Sequence, residues 1–115
     1  MSIQRIQPAA RYSEAVIVNG LIFCAGMVPV TTQQDARIQT ADVLVQIDQL
    51  LAACGSDKSK IIDTTIYLAD IADYAAMNEA WDNWVAPGNA PARATVEARL
   101  ANPAWKVEIK IVAAQ

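Results

Sequence analysis

The sequence contains no histidine. Imidazole is the usual proton shuttle near neutral pH, so its absence excludes Ser–His and Cys–His nucleophile pairs and every His-based acid–base scheme. Two cysteines are too few for a four-ligand zinc site in a chain without histidine. No apolar run reaches the ~18 residues of a membrane-spanning helix, and Met1 to Ala10 has no signal-type apolar stretch. Positive charge is also scarce. Nine Lys and Arg against twelve Asp and Glu leave a net charge of −3, so no electrostatic pull toward nucleic acid or an anionic membrane is expected. Cys24 and Cys54 lie in strongly apolar segments, which fits buried free thiols in a reducing, cytoplasmic setting. The chemistry left to the chain runs on carboxylates, Arg, Lys, hydroxyls, water or thiols.

What the sequence does have is apolar surface to bury. A hydrophobic share of 54% against 18% charged, over 115 residues, is the composition of one compact domain spanning 1–115. Ile3 to Gln7 alternates weakly as an edge strand, and Pro8 stops it. Ala15 to Val18 and Leu21 to Ala25 flank Asn19-Gly20, the pair that suits the two positive-φ positions of a type I′ hairpin turn. From Ala36 to Cys54 the period becomes helical, with Val43, Leu44, Ile47, Leu50, Leu51 and Cys54 on one stripe and Gly55 at the C-terminal stop. Ile61 to Leu68 reads as a strand. Asp70 or Asp73 then caps a second helix with Tyr74, Met77, Trp81, Trp84 and Val85 on its apolar stripe.

Two final segments alternate with opposite parity. Arg93, Thr95 and Glu97 are the polar positions of the first, and Lys106, Glu108 and Lys110 those of the second. Joined as a hairpin across Ala101-Asn102-Pro103, these strands would place Arg93 and Glu108 on one polar face within a rung or two of each other. On a solvated face such charges form weak cross-strand ion pairs. In an interface cleft they offer more: a planar guanidinium to grip a carboxylate, and a carboxylate to activate water. The order β-β-β-α-β-α-β-β predicts a mixed sheet with two helices on one face. Nothing in the chain covers the other face, so other copies are expected to pack there, sheets inward and helices outward.

At these residues the chain resembles the reactive intermediate deaminases (the RidA or YjgF family, also called liver perchloric-acid-soluble proteins). The resemblance rests on Tyr12 to Val16, Phe23 to Pro29, Met77 to Trp81, Pro91 to Glu97 and Lys106 to Ala113, the Pro-Ala-Arg and Val-Glu-Ile blocks being the most specific. Ala76 to Trp84 and Asn102 to Ala114 are most similar to the YoaB-type branch. The resemblance implies an α+β fold like the Bacillus-type chorismate mutase, a homotrimer, and three pockets between subunits. It implies hydrolysis of reactive 2-imino and 2-enamino acids to 2-keto acids and ammonia, with no metal or cofactor. By position, Arg93 would hold the substrate carboxylate and Glu108 would place the attacking water. Tyr12 would close the pocket, and Gly26, Asn78 and Thr95 would line it. The partners so implied are small carboxylate-bearing imines or keto acids, not nucleic acid or membrane.

The chain departs from the family pattern at three places. Ala25 replaces the usual Ser before the glycine, Thr95 the usual Cys, and Ala10-Arg11 the usual Gly-Pro. Two other readings stand beside deamination. One is a non-catalytic binder of small carboxylates; the other is an endoribonuclease or translation inhibitor, which an acidic chain without imidazole disfavours.

Overall fold

The Asn19-Gly20 pair turns the chain as its composition predicts: φ is +52° at Asn19 and +74° at Gly20, so both central residues are left-handed. In this computed structural model, which describes residues 2–115, that turn joins β2 (Ser13–Val18) to β3 (Leu21–Cys24). β1 (Ile3–Pro8) pairs with β2 along the edge. Next comes α1 (Ala36–Ala53), begun by Asp35, whose carboxylate accepts from Ile38 N at 2.9 Å. It stops where Gly55 takes φ +78°, with Gly55 N on Ala52 O and Ser56 N on Leu51 O, the paired bonds of a Schellman end. The chain continues through β4 (Ile61–Leu68), α2 (Tyr74–Trp84), β5 (Ala92–Glu97) and β6 (Val107–Ala114). The short turn before α2 is the one that Asp70 caps, through Ala72 N at 2.9 Å; Asp73 stands at the α2 start with no side-chain cap bond.

The sheet order is β1-β2-β3-β6-β4-β5. The last two strands are therefore not a hairpin. β5 runs parallel to β4, because α2 carries the chain back to the same end of the sheet before β5 begins. β6 then enters between β3 and β4, antiparallel to both. The central place goes to the strand with the cleaner apolar face: Val107, Ile109, Ile111 and Ala113 are all buried under the helices. The more polar β5 takes the edge.

This topology also overturns the shared face expected for Arg93 and Glu108. Arg93 is in register with Thr64, and Thr95 with Ile66; these neighbours point into the helix layer. Glu108 is in register with Tyr67, on the opposite face. Alternation had assigned each strand two faces correctly, but the missing information was which polar face belongs to which side.

Both helices pack on one face of the sheet. Val43, Leu44, Ile47 and Leu51 of α1 and Met77 and Trp81 of α2 join Ile22, Ile66, Ile109 and Ile111 in one core. Each large side chain so buried contributes about 1.5–3 kcal/mol. Cys24 and Cys54 are free, buried thiols in this core, and burial, with Cys54 nearby, pushes Cys24 up to about 12. A thiol so placed is no nucleophile at neutral pH. The other face carries Val16, Phe23, Val112 and Val96 with no layer over it, and Phe23 stays 40% exposed.

One buried polar residue ties the helix layer to a loop that matters below. Gln39 of α1 is fully buried; its amide donates to Ala104 O at 3.1 Å, and its carbonyl accepts from Lys106 N at 2.8 Å. The same amide reaches Thr32 O and Gln34 O at 3.3 and 3.2 Å. Trp105 is thereby gripped on both sides. Gln39→Leu strands these groups without partners, and should lower stability by about 2–4 kcal/mol, read as a fall in the urea midpoint. An unchanged midpoint would show that the 104–106 segment is held by something else.

Candidate functional site

The expected site residues fall into two groups on opposite faces of the sheet. The first surrounds Glu108. After β3 the chain leaves the ladder at Ala25 and Gly26, then rejoins it at Met27, which exchanges two backbone bonds with Ile109 at 2.8 and 2.9 Å. The detour brings Gly26 against Glu108. A β-carbon at this position would overlap Glu108 Oε2, so only glycine lets the carboxylate lie there. Two polar residues of α1 hold the segment that follows: Asp42 Oδ2 accepts from Val30 N at 2.7 Å and Thr31 N at 2.9 Å, and Gln46 Nε2 donates to Val28 O at 2.9 Å. Lys110 reaches back to Cys24 O at 2.7 Å.

Together these elements form an open cleft of about 410 Å³ lined by Tyr12, Ala25, Gly26, Val28, Trp105 and Glu108. Tyr12, Gly26 and Glu108 are thus brought together within one chain, without Arg93, Asn78 or Thr95. Tyr12 is 62% exposed at the rim. Ala25 supplies no hydroxyl, so the oxygen-bearing side chains lining the pocket are Glu108 and Tyr12. Val28 and Trp105 were not singled out from the sequence. The only available signal was Trp105 itself, a large aromatic in a Pro-containing loop.

The second group surrounds Arg93, at the β5 edge beneath α2. Its guanidinium lies 5.2 Å from the Trp81 ring centroid and 5.9 Å from that of Tyr74. Nη2 donates to the Tyr74 hydroxyl at 3.3 Å, and Nη1 approaches Met77 Sδ at 3.9 Å. Among the described residues its partners are aromatic faces, a phenol and a thioether, not a carboxylate. The ion-pair reading therefore fails, and the charge is stabilised by ring faces that leave its donors available. Met77 and Trp81 are core residues as expected, but they also form the bed for Arg93.

Asn78 and Thr95 complete this group. Asn78 is half-buried on α2, one turn beyond Tyr74. Thr95 stands two residues from Arg93 on the same face of β5, and its hydroxyl is buried with no partner. Thr64 beside Arg93 has an orphaned hydroxyl too. Among the described residues no group of three or more His, Cys, Asp or Glu side chains clusters as a metal site, and no helix is long and apolar enough to cross a membrane.

A mixed six-stranded sheet with two helices on one face belongs to the chorismate-mutase-like α+β class. More narrowly, the family model described as endoribonuclease L-PSP matches residues 2–115, and the chain belongs to that family, the YjgF, RutC and RidA group. It is 55% identical over 114 residues to the RutC family protein YoaB of Escherichia coli, covering 99% of both chains. A YjgF-family crystal structure from Neisseria meningitidis superposes with a TM-score of 0.97 at 59% identity, covering 100% of this chain and 96% of that one. The chloroplastic Reactive Intermediate Deaminase A of Arabidopsis thaliana is 34% identical over 108 residues, 89% of this chain and 57% of that protein.

Proposed function

We propose that the protein hydrolyses small 2-imino acids to 2-keto acids and ammonia, at sites that two copies of the chain build together. The observation that carries this reading is Arg93: a guanidinium bedded on Trp81 and Tyr74 with no carboxylate beside it among the described residues. Such a group is a receptor for a planar anion. Family membership adds the reaction class, since the Arabidopsis relative is named a reactive intermediate deaminase.

Arg93 and Glu108 lie on opposite faces of one chain, so a ligand touching both needs the Arg93 side of one subunit against the Glu108 cleft of another. The uncovered face with Phe23, Val16 and Val112 supports that association, and a cyclic trimer is the assembly proposed. In the composite site Arg93 holds the carboxylate of the imino acid. Glu108 takes a proton from a water as its oxygen bonds to the imine carbon. With the substrate as its iminium, this leaves a neutral carbinolamine. Glu108 returns the proton to its nitrogen and then takes the hydroxyl proton as the C–N bond breaks, giving the keto acid and ammonia, which carries that proton away as ammonium. Positioning plus one general base suits an imine, whose carbon is already electrophilic.

The test is a coupled assay in which an amino-acid oxidase generates the imine and keto-acid formation is followed with and without the protein. Acceleration over the spontaneous rate supports the reading. Stabilisation of the protein by 2-ketobutyrate with no acceleration would instead make it a carboxylate binder. A nuclease reading gains nothing from the chain's charge: an acidic protein lacks the clustered Lys and Arg that backbone phosphates need.

A further inference from the structure

We infer that Tyr74 is a third ligand-positioning group, donating its phenol proton to the carboxylate that Arg93 holds; this rests on the reading of Arg93 given above. The bond between the two side chains has only one permissible direction. Arginine has no acceptor, so in the 3.3 Å contact Nη2 donates and the Tyr74 oxygen accepts. The phenol proton is therefore not used on Arg93. Asn78 stands one turn along α2 from Tyr74, on the same side of the helix.

Tyr74 is 45% exposed, although its neighbours Met77 and Trp81 on the same stripe are buried. The ring rests against the guanidinium, and the hydroxyl reaches the open side of the Arg93 group. A carboxylate docked on Arg93 thus meets an O–H donor next to the N–H donors, and the two types of donor suit its two oxygens. A ligand with a neutral ester or amide in place of the carboxylate would keep one carbonyl acceptor but lose the charge and the second equivalent oxygen. The sequence pattern puts Tyr74 on the apolar stripe of α2; its exposure and its bond to Arg93 take it out of that role.

The arrangement sets a pH dependence. Asn78 and the Arg93 charge lower the Tyr74 pKa from 10.0, opposed by desolvation and, more weakly, by Asp82 further along α2. A group lowered in this way loses its proton earlier in an alkaline titration. Once the phenol ionises it has no proton to donate and repels the ligand's carboxylate, so affinity falls as pH rises through that pKa.

The experiment is calorimetric titration of the full-length protein with 2-ketobutyrate from pH 7 to 10.5, using wild type, Tyr74→Phe and Arg93→Ala. Wild-type affinity should fall across the alkaline range, while Tyr74→Phe binds roughly tenfold more weakly at pH 7 and loses the part of the alkaline fall specific to the phenol. Wild-type affinity in Tyr74→Phe at pH 7, or superimposable pH profiles, would overturn the inference. Retained affinity in Arg93→Ala, or no binding by wild type, would overturn the carboxylate reading itself. Loss in Arg93→Ala with none in Tyr74→Phe removes Tyr74 alone.

Discussion

Arg93→Ala is expected to abolish 2-ketobutyrate binding and imine hydrolysis together while leaving the subunit folded. The fold does not need this side chain. Arg93 sits on an edge strand, and the bed beneath it, Met77 and Trp81, is packed by α1 and the sheet. The ligand does need it. Each hydrogen bond to a charged group is worth about 1.5–3 kcal/mol, and a two-pronged grip supplies two of them. Loss of both predicts a fall of at least about a hundredfold in kcat/KM. Arg93→Lys should recover only part, because an ammonium lacks the planar fork. An unchanged far-UV spectrum with lost activity is the expected pair of readings; wild-type rates in Arg93→Ala would refute the assignment.

Glu108→Gln should separate binding from chemistry. Glutamine has nearly the same shape, so it can lie against Gly26 and keep the cleft intact. It cannot accept a proton from water. The expected outcome is a kcat lower by about 10²–10⁴ with the affinity for 2-ketobutyrate little changed. Equal losses in kcat and affinity would make Glu108 a binding group, and an undiminished kcat would remove it from the reaction.

The local structure of this protein was legible from sequence because each element carries its own signal. Asn19-Gly20 specifies a turn through its φ values, and the α1 stripe and Gly55 specify a helix and its end. Strand order is a different kind of information. β5 and β6 follow each other in the chain and alternate with opposite parity, which favours a hairpin on local grounds. The βαβ path through α2 overrides this, since it commits β5 to the parallel edge of β4 and leaves the centre to β6. The site was legible in its residue types but not in its assembly. Tyr12, Gly26 and Glu108 converge through the detour at Ala25, and Arg93, Asn78 and Thr95 converge under α2, yet the two groups face away from each other. Gln39 and Trp105 escaped notice because a glutamine buried in a helix and a loop tryptophan acquire meaning only through contacts distant in sequence, here between Gln39 and Lys106.

Mixing two inactive proteins tests the shared site most directly. Arg93→Ala and Glu108→Gln are purified separately, shown to be inactive, then unfolded and refolded together in equal amounts. If each site takes its guanidinium from one subunit and its carboxylate from another, random trimers regain about a quarter of the wild-type sites. If both groups of a site come from one chain, every site in the mixture lacks one of them, and no activity returns at any ratio.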